Sequence, residues 1–111
     1  MNKDPEIFLK HILESIKLIE SFSKNLNKNK FLKNKLRQNA IVRELEIIGE
    51  AVKNLPHNYT ARHPNIEWSK IAGLRDKLIH HYFGVDLNTV WDVVKGDLPQ
   101  LKKKIQEILA K

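Results

Sequence analysis

The stretch Arg75-Asp76-Lys77-Leu78-Ile79-His80-His81-Tyr82 gathers cations, a carboxylate, two imidazoles and a phenol into little more than two helical turns. Each has something to offer a phosphodiester. The Arg75 guanidinium is always charged and presents a fork that fits two phosphate oxygens. His80 titrates near neutrality, so it can take a proton from a ribose 2′-OH or give one to a leaving 5′-oxygen. Asp76 stands four positions before His80, so on a helix the two share a face and the carboxylate can orient the ring. His81 is a second candidate for such support, or a packed histidine beside Tyr82. The inventory suits metal-independent RNA cleavage by internal attack of the 2′-OH, and it calls for no metal and no cofactor. The competing reading is a solvated helix face with local ion pairs worth roughly a few tenths of a kcal/mol each.

The residues around this segment predict a helix from about Glu67 to Phe83, with Trp68, Ile71, Leu74 and Leu78 on its apolar side and Gly84 placed to end it. That helix constrains the chemistry. At 100° per residue Arg75 and His80 project about 140° apart, while Tyr82 returns to within about 20° of Arg75. One straight helix cannot aim Arg75 and His80 at the same phosphate. Two solutions stay open: the helix is distorted near His80, or a second chain completes the site. A two-fold dimer would also place two copies of His80 in one cleft, supplying a base and an acid.

The elements that must hold this segment also read as helices. Asp4-Pro5-Glu6 is a helix start, because Asp can cap free amides and Pro fits the first turn. Phe8, Ile12, Ile16, Ile19 and Phe22 then form a stripe. Asn25, Asn27 and Asn29 break it and predict a loop. A second helix is predicted from about Phe31 to Leu55, where Gly49 implies close approach of another helix. Pro56 to Pro64 reads as a connector, and its His57 and His63 match no metal-ligand spacing, so no metal site is called for. Asp86 can cap a fourth helix bearing Leu87, Val90, Trp91 and Val94. Gly96-Asp97-Leu98-Pro99 marks a break or kink, and a last helix carries Leu98, Leu101, Ile105 and Ile108 with Lys102, Lys103 and Lys104 turned largely outward. The expected fold is all-α, a four- to five-helix up-and-down bundle over residues 1–111 as a single domain.

The chain of 111 residues carries 20 Lys+Arg against 13 Asp+Glu, a formal net charge of +7. Its hydrophobic fraction of 41% is enough for one packed core and argues against a disordered basic tail. Cysteine is absent, which excludes disulfides and thiolate metal sites. No apolar run reaches the ~18 residues of a spanning helix. The acids in Met1-Asn2-Lys3-Asp4-Pro5-Glu6 do not suit a signal peptide, so a cytoplasmic location is expected. The charge is concentrated: no acid lies between Glu20 and Glu44, an interval holding Lys24, Lys28, Lys30, Lys33, Lys35, Arg37 and Arg43. Removing those seven leaves thirteen basic against thirteen acidic residues, so this interval holds the whole excess. It is the footprint of a polyanion binder, with Lys28, Lys30, Lys33, Lys35 and Arg37 as the candidate RNA-binding residues, or else a solubilising surface.

Arg75 through Tyr82 also matches the pattern Arg-x4-His-x-Tyr, and the chain around it resembles the HepT-like ribonuclease toxins of the HEPN superfamily. The resemblance runs through Asn39-Ala40-Ile41-Val42, Ile47-Ile48-Gly49-Glu50-Ala51, Pro64-Asn65-Ile66-Glu67-Trp68, Ile71-Ala72-Gly73-Leu74-Arg75, and Val90-Trp91-Asp92 to Leu98-Pro99. It implies the toxin of a type II toxin–antitoxin system: a homodimer with a composite, metal-independent RNase site built from Arg75 and His80. It further implies a minimal nucleotidyltransferase antitoxin that silences the enzyme by AMPylation of Tyr82. Added phosphate beside Arg75 would compete with RNA for the same charge. An alternative is a non-catalytic helical module that docks a nucleotidyltransferase or a nucleotide. A DNA-binding helix-turn-helix is disfavoured, because no short turn leads into a helix with base-reading polar residues.

Overall fold

The computed structural model describes residues 4–74, 76, 79–80 and 84–111, the backbone alone at 79, 80, 84 and 85. The first helix, α1 (Pro5–Ser23), starts as its sequence dictates: the Asp4 carboxylate accepts the Glu6 N–H at 2.9 Å and Pro5 occupies the first turn. Leu9, Ile12, Ile16 and Ile19 face the core, with Phe8 and Phe22 half-buried beside them. The helix stops where Lys24 turns extended and Asn25 adopts φ 64°, a left-handed conformation that Asn tolerates better than most side chains.

The expected helix from Phe31 to Leu55 is two helices, α2 (Lys28–Leu32) and α3 (Lys35–Lys53). Asparagine side chains divide them. Asn27 caps α2 by accepting the Lys30 N–H at 2.8 Å, and Asn34 caps α3 by accepting the Arg37 N–H at 3.0 Å. Gln38 Nε2 donates to the Phe31 carbonyl at 2.9 Å and fixes the angle between them. Asn29, expected in a loop, therefore belongs to α2. Helix α3 lies along α1 and buries Ile41, Val42, Leu45, Ile48 and Val52.

The connector after Pro56 contains a single helical turn, α4 (His57–Ala61), which buries no residue and so left no apolar pattern to read. Trp68 then enters the core, its indole N–H donating to the His63 carbonyl at 2.9 Å, and opens α5 (Trp68–Ala72). A Cβ on Gly49 would stand 3.3 Å from the Ile71 carbonyl oxygen and 3.5 Å from that of Ala72, so α3 meets α5 almost backbone to backbone. Gly49→Val is expected to destabilise the fold by about 1–3 kcal/mol, because the extra methyls meet a carbonyl that cannot move freely. A thermal melt checks this; an unchanged or higher Tm would mean that this close approach does not limit packing.

The predicted helix from Glu67 to Phe83 is corrected. Helix α5 ends at Ala72 with Gly73 at its cap, and further along β1 (Ile79–His80) pairs antiparallel with β2 (Gly84–Val85), Ile79 opposite Val85 and His80 opposite Gly84. Gly84, expected to end a helix, instead faces His80 across this pair. The β-branched Ile79 and Val85 suit extended backbone. The last helices follow: α6 (Leu87–Asp92), a wide π-turn over Val93–Asp97, and α7 (Leu98–Leu109). Asp86 caps α6 as expected, accepting from the Thr89 N–H at 3.2 Å and its hydroxyl at 2.7 Å. The anticipated break at Gly96–Pro99 is a widened turn instead of a stop. The Leu98 N–H reaches back to the Val93 carbonyl, and the next residue, Pro99, has no N–H to continue the ordinary ladder. Helix α7 packs on α1 through Leu98, Leu101 and Ile105. Lys102, expected to point outward, is half-buried and holds both Glu20 carboxylate oxygens at 3.0 Å. Lys104 donates to the Asn65 carbonyl at 2.7 Å, leaving Lys103 as the exposed member of the trio. The fold class is all-α as expected, with a minimal strand pair among the described residues.

Candidate functional site

Leu74, 4% exposed, anchors the start of the candidate segment in the core, and the Asp86 cap fixes its end at α6. Between them lie the residues singled out for chemistry. Arg75, His81 and Tyr82 fall outside the described residues, and His80 is described only through its backbone in β1. Asp76 is exposed. Because the chain is extended at Ile79–His80, the projection of 140° drawn for a straight helix does not apply, and the departure from helix near His80 is one of the two solutions that the spacing left open. The same fact removes the premise for Asp76 as a partner of His80, since a spacing of four shares a face only along a helix.

The basic interval is described in full. Lys28, Lys30, Lys33 and Lys35 are all exposed on α2 and the start of α3, as are Lys24 and Arg43. Arg37 differs: it is half-buried and its Nη1 donates to the Lys24 carbonyl at 3.3 Å, so it clasps the end of α1 to the start of α3. The lysines are mounted on the rest of the molecule through Phe31. Its ring is fully buried, 5.2 Å from the ring of Trp91 on α6. The basic helix therefore rests on the helix that begins where the candidate segment ends. Sequence reading missed Lys95, whose ammonium lies 4.8 Å from the Trp91 ring centroid, inside cation–π range. The Trp91 and Lys95 spacing of four was the signal that could have found it.

His57 is exposed, and His63 packs its ring 4.9 Å from Tyr59. Burial, with Glu6 nearby, holds the Tyr59 phenol above its usual pKa. Among the described residues no group of three His, Asp or Glu side chains is placed to hold a metal ion, and no helix is long and apolar enough to cross a membrane.

Comparison with known proteins gives a family for this arrangement. The profile described as "Ribonuclease HepT-like" matches residues 12–108. The chain is 49% identical over 109 residues to a gamma-glutamylcyclotransferase and candidate RNase of Methanocaldococcus jannaschii, covering 98% of this chain and 49% of that protein. It thus spans about half the length of that relative. It is 43% identical over 109 residues to a candidate RNase of Caldanaerobacter subterraneus, covering 98% of this chain and 97% of that one. It is 45% identical over 108 residues to a probable ribonuclease HepT of Thermococcus cleftensis, covering 97% and 98%. No solved structure matches significantly.

Proposed function

Because the chain belongs to the HepT-like ribonuclease family, we propose that it is a metal-independent endoribonuclease whose catalytic residues are Arg75 and His80. The observation that carries this reading is the Arg-x4-His-x-Tyr segment, standing intact at Arg75 to Tyr82 within the matched stretch 12–108. In the reaction, the ribose 2′-oxygen attacks the adjacent phosphorus. The bond from phosphorus to the 2′-oxygen forms as the bond to the 5′-oxygen breaks. One imidazole takes the 2′-OH proton and another gives a proton to the departing 5′-oxygen, which a homodimer with two His80 side chains supplies. Arg75 steadies the negative charge that builds on the phosphoryl oxygens. The chain acts as a single helical domain and as the toxin of a toxin–antitoxin pair, silenced when a nucleotidyltransferase partner places AMP on the Tyr82 hydroxyl.

The test is cleavage of labelled RNA by purified protein in the presence of EDTA. Products ending in 2′,3′-cyclic phosphate and 5′-hydroxyl are expected. Loss of cleavage with EDTA, or products ending in 3′-hydroxyl and 5′-phosphate, would overturn the mechanism. Co-expression with the partner should add whole adenylyl masses to the intact protein and none to a Tyr82→Phe variant.

The exposed lysines of α2 and α3 hold the RNA backbone in this reading. Changing Lys28, Lys30, Lys33 and Lys35 to Gln is expected to weaken RNA binding and to flatten the log–log salt dependence by roughly 0.7 for each phosphate no longer neutralised. An unchanged slope in a binding titration would return that charge to a solubility role. Arg37 is expected to contribute less to RNA than the lysines, since its side chain is already engaged with the Lys24 carbonyl.

A further inference from the structure

A groove of about 330 Å³ opens beside the basic helix, walled by the last turns of α1, the turn at Asn25 and the wide turn Val93–Asp97. Leu26, half-buried, and exposed Pro99 contribute apolar surface, with Ile16, Ile19, Val94 and Leu98 beneath. Two ammonium-bearing side chains line it from different elements, Lys24 at the end of α1 and Lys95 in the wide turn. Both are held: the Lys24 backbone by the Arg37 guanidinium, the Lys95 head over the Trp91 ring. Glu20 is the carboxylate in the lining, and its two oxygens are taken by Lys102 at 3.0 Å, so it does not cancel the lysines. Asn25 adds an amide with both a donor and an acceptor.

An apolar floor flanked by two exposed lysines, with an amide at the edge, matches a nucleotide: a flat base that prefers apolar surroundings, a phosphate that needs positive charge, and polar edges to be met. The size sits at the lower end of the range for small-ligand sites. We propose that this groove binds one nucleotide of single-stranded RNA, with its phosphate held between Lys24 and Lys95. An unpaired strand is required, because a base within a duplex has no free face to offer. The proposal rests on the ribonuclease reading and extends it. It carries the RNA path from the lysines of α2 across to the wide turn, onto a residue outside the basic interval.

A 2′-O-methylated oligonucleotide, which internal attack cannot cut, is the probe. Lys24→Ala and Lys95→Ala are each expected to raise its Kd several-fold and to reduce the log–log salt slope by about 0.7, additively in the double variant. Both lysines are exposed, so the variants should stay folded: the circular dichroism melt of Lys24→Ala should match the parent, and that of Lys95→Ala should fall only by the few degrees that a lost cation–π contact costs. With 4-thiouridine in the oligonucleotide, photocrosslinks are expected in peptides covering 24–26 or 94–99. A double variant that binds with parental affinity and slope, or crosslinks confined to α2 and α3, would overturn the groove. If that happens while the parent protein cuts unmethylated RNA, the ribonuclease reading stands alone. If the groove crosslinks but the parent cuts nothing, the groove survives as an RNA site and the ribonuclease reading fails.

Discussion

His80→Ala is expected to slow RNA cleavage by about 10²–10⁴-fold, the usual loss when a positioned general acid–base is removed. Arg75→Ala should cost about 10²–10³-fold, because the charge building in the transition state is then no longer stabilised. On the barrier these correspond to roughly 2.7–5.4 and 2.7–4 kcal/mol. The two act on one phosphate, so the double variant should be hardly worse than the poorer single one. Single-turnover cleavage at saturating RNA reads the chemical step, and circular dichroism shows whether the fold is kept. Parental rates in either variant would remove that residue from the site. Mixing parental chains with an excess of the His80→Ala variant adds a second measurement. If one site needs an imidazole from each chain, subunit exchange puts most parental chains into mixed dimers with a single His80, and cleavage per parental chain falls. Unchanged cleavage per parental chain would mean that each chain supplies its own site.

Phe31→Ala carries the largest expected effect on stability. The ring is fully buried against Trp91, and truncating such a side chain costs about 3–5 kcal/mol. A native domain has only roughly 5–15 kcal/mol in total, and each kcal/mol lowers Tm by about 4–8 °C at this size. A fall of at least about 12 °C is therefore expected in a thermal melt. Phe31→Leu keeps apolar volume and should be much milder. The consequence extends to function, since Phe31 carries the lysines of α2 onto α6. At temperatures where the Ala variant remains folded, its RNA affinity should drop although no charge has been removed. A cost below about 1 kcal/mol would mean that α2 is not seated as described.

The helix starts at Asp4 and Asp86 were legible in the sequence, because a cap is a local event within three or four residues. The core face of α1 and α7 was legible for a similar reason: one apolar period runs uninterrupted along each. The division of α2 from α3 was hidden, because Phe31 is apolar and fits a continued helix. What decides the matter is Asn34 competing for the Arg37 amide, together with Gln38 bonding back to Phe31. Residues 79–85 misled for the opposite reason. Their apolar spacing suits a helix as well as a strand, and a two-residue pairing depends on a partner several positions away. The candidate residue types stood in the sequence, and a distortion near His80 was one of the two arrangements their spacing left open; the spacing did not choose it, because the pairing depends on Gly84 and Val85. The Trp91–Lys95 contact was within reach of the sequence as a spacing of four, whereas the place of Lys95 beside Lys24 was not, because it exists only once folding brings the end of α1 alongside the wide turn.

The Trp91 ring has one further consequence, an optical one. Indole emission responds to nearby charge, and the ammonium of Lys95 stands 4.8 Å from the ring centroid while Phe31 packs against it at 5.2 Å. A phosphate that draws the ammonium away changes the field at the ring without touching it. Trp68, the other indole, is tied to the His63 carbonyl in the core and supplies a steady background. The protein thus holds its own fluorophore where its basic helix meets the rest of the chain.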